Sequence, residues 1–323
     1  MVPQVSVIIP TYNPHRGRLE RTLSGLKSQT LPLAEWELCI VDNHSPAENR
    51  VRESDVAWHP HGQIVFETRR GSQNARRAGV HATKAPLIVC VDDDNILAPD
   101  YLEQALATAE AHPEFGAWGG ATEGDWETPP PRWTEEFHCY IAVRDLGPDL
   151  LHAKGDRFGP DFTPNGTGMV LRRSVALAWS EQLARTPQLT TLGRTGGALG
   201  AHDDIDMAWA AFPLGLEVAY VPTLRLRHII PPARLTRQYL GRLLHGMAYS
   251  GQFFAASRSG EPPAPPVRFA WLRKLRRYLQ TGAFASPRAY VWWRHYCGVL
   301  DARAAWHADP QRNATPPGPP PGH

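Results

Sequence analysis

Along the first hundred positions, apolar residues fall in short unbroken runs separated by segments with helical spacing. Val5-Ser6-Val7-Ile8-Ile9, Glu37-Leu38-Cys39-Ile40-Val41, Gln63-Ile64-Val65-Phe66 and Leu87-Ile88-Val89-Cys90-Val91 each read as a strand. Runs of this kind belong to strands covered on both faces. Between them, Leu19, Leu23 and Leu26 predict a helix to about Gln29. Ala75, Ala78, Gly79 and Ala82 predict a second, capped by Ser72. Leu102, Ala105, Leu106 and Ala109 predict a third, opened by Pro99. Such strand–helix alternation predicts an α/β fold with parallel strands and right-handed crossovers.

Beyond Phe115-Gly116-Ala117-Trp118-Gly119-Gly120 the pattern loosens through residues 121–165, which carry Pro129-Pro130-Pro131. Connections this long are uncommon and often functional. A glycine-led strand is expected at Gly166–Arg173. A glycine-rich segment with Gly193, Gly196, Gly197 and Gly200 follows, either an ordinary loop or one that closes over a ligand. A helix then runs from Asp203 to about Phe212, and a strand over Glu217–Val221.

Candidate chemistry sits where these elements end. The fourth strand runs directly into Asp92-Asp93-Asp94-Asn95, and the second into Asp42-Asn43. In open α/β sheets, ligands bind beyond the carboxyl ends of strands. Three adjacent carboxylates repel one another unless a cation offsets them, and oxygen donors suit Mg²⁺ or Mn²⁺. The structural alternatives are a solvated acidic turn for Asp92–Asp94, a loop start for Asp42, and helix capping for Asp203 and Asp204.

Composition narrows the classes. A formal net charge of +2 gives no global electrostatic case for nucleic acid, and 42% hydrophobic residues is ordinary for a soluble globular protein. The four cysteines are scattered without a CxxC pair, which speaks against a zinc ribbon or redox motif. Cys39 and Cys90 lie in apolar runs and read as core thiols in a reducing cytoplasm. The N-terminus lacks the pattern of a signal peptide, and no apolar stretch suffices to span a bilayer. From Arg234 to Pro310 the balance shifts to twelve Lys/Arg against three Asp/Glu, with dense aromatics. Trp271-Leu272-Arg273-Lys274-Leu275-Arg276-Arg277-Tyr278-Leu279 favours a membrane-surface helix over a plain helical appendage. The Pro/Gly-rich tail from Thr315 is expected to be disordered.

Taken in order, Val7-Ile8-Ile9-Pro10-Thr11-Tyr12-Asn13, Ile40-Val41-Asp42-Asn43-His44-Ser45, Gly71-Ser72-Gln73-Asn74-Ala75-Arg76-Arg77-Ala78-Gly79-Val80, Val91-Asp92-Asp93-Asp94-Asn95, Gly166–Arg173 and His202-Asp203-Asp204-Ile205-Asp206-Met207 resemble the family 2 glycosyltransferases of GT-A fold. The resemblance covers roughly residues 4–235. It implies a Rossmann-like mixed sheet with flanking helices over residues 1–233, with a nucleotide-binding half at 1–120 and an acceptor half at 121–233. A basic, aromatic helical appendage at 234–310 and a tail at 311–323 complete the expected organisation.

The resemblance also implies roles. Pro10, Thr11, Tyr12 and Asn13 lie against the nucleotide, Asp42 and Asn43 at the base, and Arg76 near the nucleotide. Asp92 and Asp93 face the ribose or donor sugar, with their division open. Asp94 and His228 bind a divalent cation (Mn²⁺ or Mg²⁺). Asp204 acts as general base beside Asp203, which stands where the family has Glu. Arg77 stands where the family has Asn, and Arg234 is a weaker candidate for the diphosphate. The implied reaction is inverting transfer from a nucleotide-diphospho-sugar, a UDP-sugar foremost, to a saccharide or lipid-linked acceptor. It would occur in the cytoplasm or at the inner face of the cytoplasmic membrane, with 234–310 as the membrane contact and nucleic acid excluded as a partner. The alternatives are another nucleotide-sugar enzyme and a non-catalytic carbohydrate- or membrane-binding protein on a degenerate transferase fold.

Overall fold

The first strand, β1 (Val5–Thr11), forms where alternate side chains are apolar on both faces, and its inner residues are fully buried. The computed structural model describes residues 2–155, 159–185 and 202–308, with the backbone alone at Arg194–Thr195 and Ala198–Leu199. In chain order the elements are β1, α1 (Arg16–Lys27), β2 (Trp36–Asp42), α2 (Glu53–Val56), β3 (Gly62–Phe66), α3 (Ser72–Ala82), β4 (Leu87–Cys90), β5 (Asn95–Leu97), α4 (Tyr101–Ala111), β6 (Phe115–Trp126), β7 (Leu151–Ala153), β8 (Val170–Arg172), α5 (Arg173–Arg185), the short β9 (Arg194–Thr195) and β10 (Ala198–Leu199), α6 (Asp203–Trp209), β11 (Glu217–Ile230), α7 (Arg237–Ser259), α8 (Ala270–Gln280) and α9 (Pro287–Ala308).

Two compact units divide the chain. The first comprises residues 1–127, 141–185 and 204–230, and holds one large sheet in the order β3-β2-β1-β4-β8-β6-β11-β5, with β7 on β11. The four leading strands pair in parallel, as their apolar runs predict. The sheet then turns mixed: β8 runs antiparallel to both β4 and β6, and β5 and β7 run antiparallel to β11. Two strands are longer than the sequence suggests. β6 continues past Gly120 to Trp126, and β11 continues past Val221 to Ile230, because the two pair with each other across an irregularity between Tyr220 and Arg225. The predicted strand at Gly166–Arg173 shrinks to Val170–Arg172, and its preceding glycines form a turn.

Helix α3 lies close on β1, since a Cβ at Gly79 would stand 2.4 Å from Ile8 Cγ2. Its buried face is Gln73, Ala75, Arg76, Gly79 and Val80 rather than the alanine stripe expected, so an arginine is carried into the interior. Gly71 takes the N-cap position and Ser72 is the first helical residue. The backbone of β8 and α5 is held by two arginines. Arg172 donates to the carbonyls of Ala109, His112 and Phe115, and Arg173 to those of Val80 and Ala85. Cys39 and Cys90 are buried core thiols, pushed by burial to about 12 and about 11.

The second unit comprises residues 128–140, 186–203 and 231–323. Its α7 is capped by Thr236, whose hydroxyl accepts from the Tyr239 N–H at 3.2 Å, and α7 packs on α9. Phe137 is buried and its ring stands 5.5 Å from that of Trp292. The glycines of the 193–200 segment and the tail at 311–323 lie outside the described residues, apart from the backbone of β9 and β10.

His59 is buried with its ring edge-on to Trp36 at 4.1 Å, its Nδ1 accepting from the His61 N–H. Burial first, and the neighbouring His61 second, hold its pKa down at about 4. Above pH ~6.5 the ring is neutral in folded and unfolded chains alike, and the pH leaves its contribution unchanged. As pH falls from ~6.5 toward 4 the unfolded chain takes the proton first, so stability drops by on the order of 3 kcal/mol and levels off below that. Urea unfolding of wild type and His59→Asn across this window checks it: the difference between the two should shrink as pH falls.

Candidate active site

The acidic turn after β4 is held by its fourth member. Asn95 is fully buried, its Oδ1 accepts from the Asp92 N–H at 3.1 Å, and its own N–H donates to the Asp92 carbonyl at 3.0 Å. Asn95 also begins β5, whose register sets it opposite His228 on β11. This short antiparallel pairing brings two segments more than a hundred residues apart in sequence together at the turn. The Ile229 N–H donates to the Asp94 carbonyl at 2.8 Å, and His228 Nε2 stands 3.4 Å from Asp94 Oδ1. Both side chains are buried.

The three carboxylates point to different partners. Asp93 accepts from the Thr11 hydroxyl at the end of β1. Asp92 Oδ1 lies 3.6 Å from Nη2 of the buried Arg76 on α3. Asp94 faces His228 and the Asn95 amide, the latter at 3.4 Å. Arg76 in turn borders Gly166, where a Cβ would fall 2.6 Å from Nη2 and 3.4 Å from Asp204 Cβ. The Gly166 N–H donates to Asp204 Oδ2 at 2.9 Å, and the Ile205 N–H to Asp204 Oδ1 at 2.8 Å. Asp92, Arg76, Gly166 and Asp204 therefore form one continuous group, drawn from four separate segments. The turn bearing Gly166 is anchored by the buried Tyr101, whose hydroxyl donates to the Gly168 carbonyl at 2.6 Å.

At the neighbouring strand ends, Thr11 and Asp42 sit opposite each other in the β1–β2 register. Asp42 is buried, with Oδ1 accepting from the Ser45 N–H at 2.8 Å and Oδ2 from the Val51 N–H at 3.1 Å. Asn43 donates to the Glu67 and Arg69 carbonyls and accepts from the Gly71 N–H at 2.7 Å, so its amide ties the loop before α3 to β2. Asn13, in a left-handed conformation (φ 53°), is fixed through its N–H on the Ser45 hydroxyl at 2.8 Å and through its Oδ1, which accepts from Asn49. Pro10 is half-buried between the buried Ile9 and Thr11, and Tyr12 beyond the strand is exposed. Asp203 and Arg234 belong to the second unit, where Asp203 is buried. In that unit His202 shares a hydrogen bond with the Ser250 hydroxyl at 2.9 Å, and burial holds its pKa at about 4 against the pull of Asp203. Sequence reasoning assigned no role to Asn95, Gly166 or Tyr101. Asn95 and Gly166 were visible as members of the acidic and glycine-led motifs, and Tyr101 carried no signal.

A sequence profile described as glycosyl transferase family 2 matches residues 6–177, more than half of the chain. The chain belongs to glycosyl transferase family 2. Among curated relatives, validoxylamine A glucosyltransferase of Streptomyces hygroscopicus subsp. jinggangensis is 32% identical over 152 residues, 45% of this chain and 36% of that one. The poly(ribitol-phosphate) beta-N-acetylglucosaminyltransferase TarP of Staphylococcus aureus is 33% identical over 104 residues, 31% of each. These matches span well under half of either relative's length. Among solved structures, a Pyrobaculum calidifontis mannosyltransferase in complex with GDP-Man and Mn²⁺ aligns with a TM-score of 0.54 at 19% identity, covering 95% of this chain and 87% of that one. GalNAc-T7 with UDP, GalNAc and Mn²⁺ aligns at 0.52 and 16% identity over 85% and 54%. Both likenesses bear on the fold, which is the GT-A fold that the motifs imply.

The donor set suits a divalent cation. Among the described residues no three His, Cys, Asp or Glu side chains gather into a metal cage. Mg²⁺-type ions, however, commonly take one or two protein donors and complete their shell with substrate phosphates and water. Asp94 and His228 supply one oxygen and one nitrogen 3.4 Å apart, a spacing compatible with shared ligation of one such ion.

Asn95→Ala should cost about 2–3 kcal/mol, because two hydrogen bonds of a buried side chain are lost and the Asp92 N–H is left without its acceptor. Chemical denaturation reads this directly, and Asn95→Asp should cost more at neutral pH by adding a fourth carboxylate to the turn.

Proposed function

We propose that the chain transfers a sugar from a nucleotide-diphospho-sugar, a UDP-sugar foremost, to an acceptor hydroxyl with inversion at the anomeric carbon, assisted by Mn²⁺ or Mg²⁺. The observation that carries this reading is the continuous group Asp92–Arg76–Gly166–Asp204, with Asp94 on the same turn as Asp92 and facing His228 of β11. A carboxylate near a guanidinium, beside the turn that follows β4, supports a reading in which the carboxylate accepts the acceptor's proton.

The roles follow from the chemistry of each group. Two backbone N–H donors fix the direction of the Asp204 carboxylate, which is assigned as the general base for the acceptor hydroxyl. With one such base and a direct displacement, the acceptor attacks opposite the departing diphosphate and the configuration inverts. Arg76, kept cationic beside Asp92, offers charge to the nucleotide phosphates, and its enclosure by Gly166 keeps the guanidinium from swinging away. Asp92 and Asp93 orient the ribose or donor sugar. Asp42, with Asn43 securing the loop beside it, accepts from the base, while Pro10 to Asn13 line the nucleotide. Asp94 and His228 would hold the cation, which when bound neutralises charge on the leaving diphosphate. The acceptor is a saccharide or lipid-linked saccharide, and the setting is the cytoplasm.

The test is turnover against a panel of nucleotide sugars, with NMR assignment of the product anomer. Asp204→Asn should lower kcat by about 10²- to 10⁴-fold while leaving nucleotide affinity within a factor of about three. Full turnover in that variant would remove Asp204 from the role of base. Absence of turnover with every donor, despite nucleotide binding, would favour a non-catalytic binding protein.

Asp94→Ala gives a separate check by calorimetry. Wild type should bind UDP at least about tenfold more tightly with Mn²⁺ than with chelator, and the variant should show no such difference.

A further inference from the structure

Helix α8 is amphipathic in the inverse sense. Its inner side is Lys274 and Tyr278, one turn apart. Lys274 is ion-paired to Asp301 of α9, its carbonyl accepts from the Trp293 indole at 2.9 Å, and Tyr278 stands edge-on to the Trp293 ring at 4.9 Å. None of its residues is fully buried. The apolar side chains Trp271, Leu272, Leu275 and Leu279 instead face solvent, with relative exposures of 47 to 66%. Phe269 and Phe284, at either end of the helix, extend the exposed face. Phe269 adopts a left-handed backbone (φ 53°) that a non-glycine residue rarely takes, and carries Arg268 over its ring at 5.5 Å.

A contiguous exposed apolar face marks an interaction surface. Its charge says what kind. From residue 262 to 300 there are seven Lys/Arg and no Asp/Glu, and five of the seven lie in residues 268–277. Exposed Arg273 and Arg276 follow the apolar stripe round the helix and Arg268 precedes it, while Arg277 stands over the Tyr296 ring of α9 at 5.9 Å. A second copy of this face would bring like charges together, whereas an anionic bilayer meets both features at once: headgroups receive the cations and the acyl boundary the apolar side chains. No helix among the described residues is long and apolar enough to cross a membrane, so the mode is lateral. We propose that α8 lies in the plane of an anionic lipid bilayer, with Trp271, Leu272, Leu275 and Leu279 inserted at the acyl boundary and the flanking arginines on the headgroups.

Flotation of the full chain with phosphatidylglycerol–phosphatidylcholine vesicles tests this without any turnover assay, so its failure leaves the catalytic reading intact. The protein should float with the mixed vesicles and not with phosphatidylcholine alone, and high salt should weaken the binding. Trp271→Ser/Leu275→Ser/Leu279→Ser and, separately, Arg273→Gln/Arg276→Gln should each lower the partition coefficient by about tenfold or more. Their circular dichroism and melting should be unchanged, since the replaced side chains are exposed. Leu279→Ser alone, with a smaller loss of binding, serves should the triple variant lose its helix. Equal flotation with neutral vesicles, no flotation at all, or wild-type flotation of the folded triple variant would overturn the proposal. So would a concentration-dependent dimer in sedimentation that the triple variant abolishes while the wild type ignores vesicles.

Discussion

Three carboxylates in consecutive positions impose the constraint around which the first unit is arranged. Two unit charges about 4 Å apart at an effective dielectric near 20 repel by about 4 kcal/mol, a large share of the stability of an ordinary domain. The fold meets this by separating them. Asn95 bends the chain so that Asp92 turns toward Arg76, Asp93 toward Thr11, and Asp94 toward His228. Each partner comes from a different element, so α3, β1 and β11 must all be in place before the turn is electrostatically acceptable. The order of the sheet follows the same need: β5 occupies its edge by pairing with β11, and that pairing sets His228 opposite Asn95.

The parts that could be read in the sequence are those whose cause is local. β1, β2 and β4 are apolar runs because they are buried along their length, whereas the edge strand β3 is only half-buried and its Phe66 is exposed. The ends of β6 and β11 were illegible for the opposite reason. Past Gly120 and Val221 glycine, proline and charged residues interrupt the apolar runs, and pairing between distant segments, β6 with β11 and β11 also with β5, holds them extended. The three residues of β5 carry no periodic signal at all, and the antiparallel insertion of β8 between β4 and β6 is a matter of topology that no short window encodes.

The site divides along the same line. Asp42, Asp92–Asp94 and Asp204 stand at element ends, where an acid is conspicuous, and so could be singled out. Gly166 headed a glycine-led motif without a role of its own and Tyr101 stood in no motif, because their contribution exists only after closure. Gly166 matters for the Cβ it lacks beside Arg76, and Tyr101 for the carbonyl it holds sixty-seven positions away. Arg76 illustrates both cases. Its motif marked it, but its burial contradicts the alanine face expected of α3, and the neighbouring Asp92 helps explain why a guanidinium is tolerated there.

The two units treat concentrated charge in contrasting ways. In the first, every carboxylate of the acidic turn is answered by a side chain of the same unit. In the second, Asp301 answers Lys274 and His245 and Glu136 answers Arg288, while residues 262–300 supply no acid beside the exposed arginines of α8. Water can satisfy exposed arginines, but it does not favour a tryptophan and three leucines held outward beside them. Packing the apolar side of α8 on α9 would have been the cheaper folded arrangement, and the chain instead turns Lys274 and Tyr278 inward. That choice leaves cation and apolar surface together on one exposed face, and a surface offering negative charge above hydrocarbon satisfies the two in a single contact.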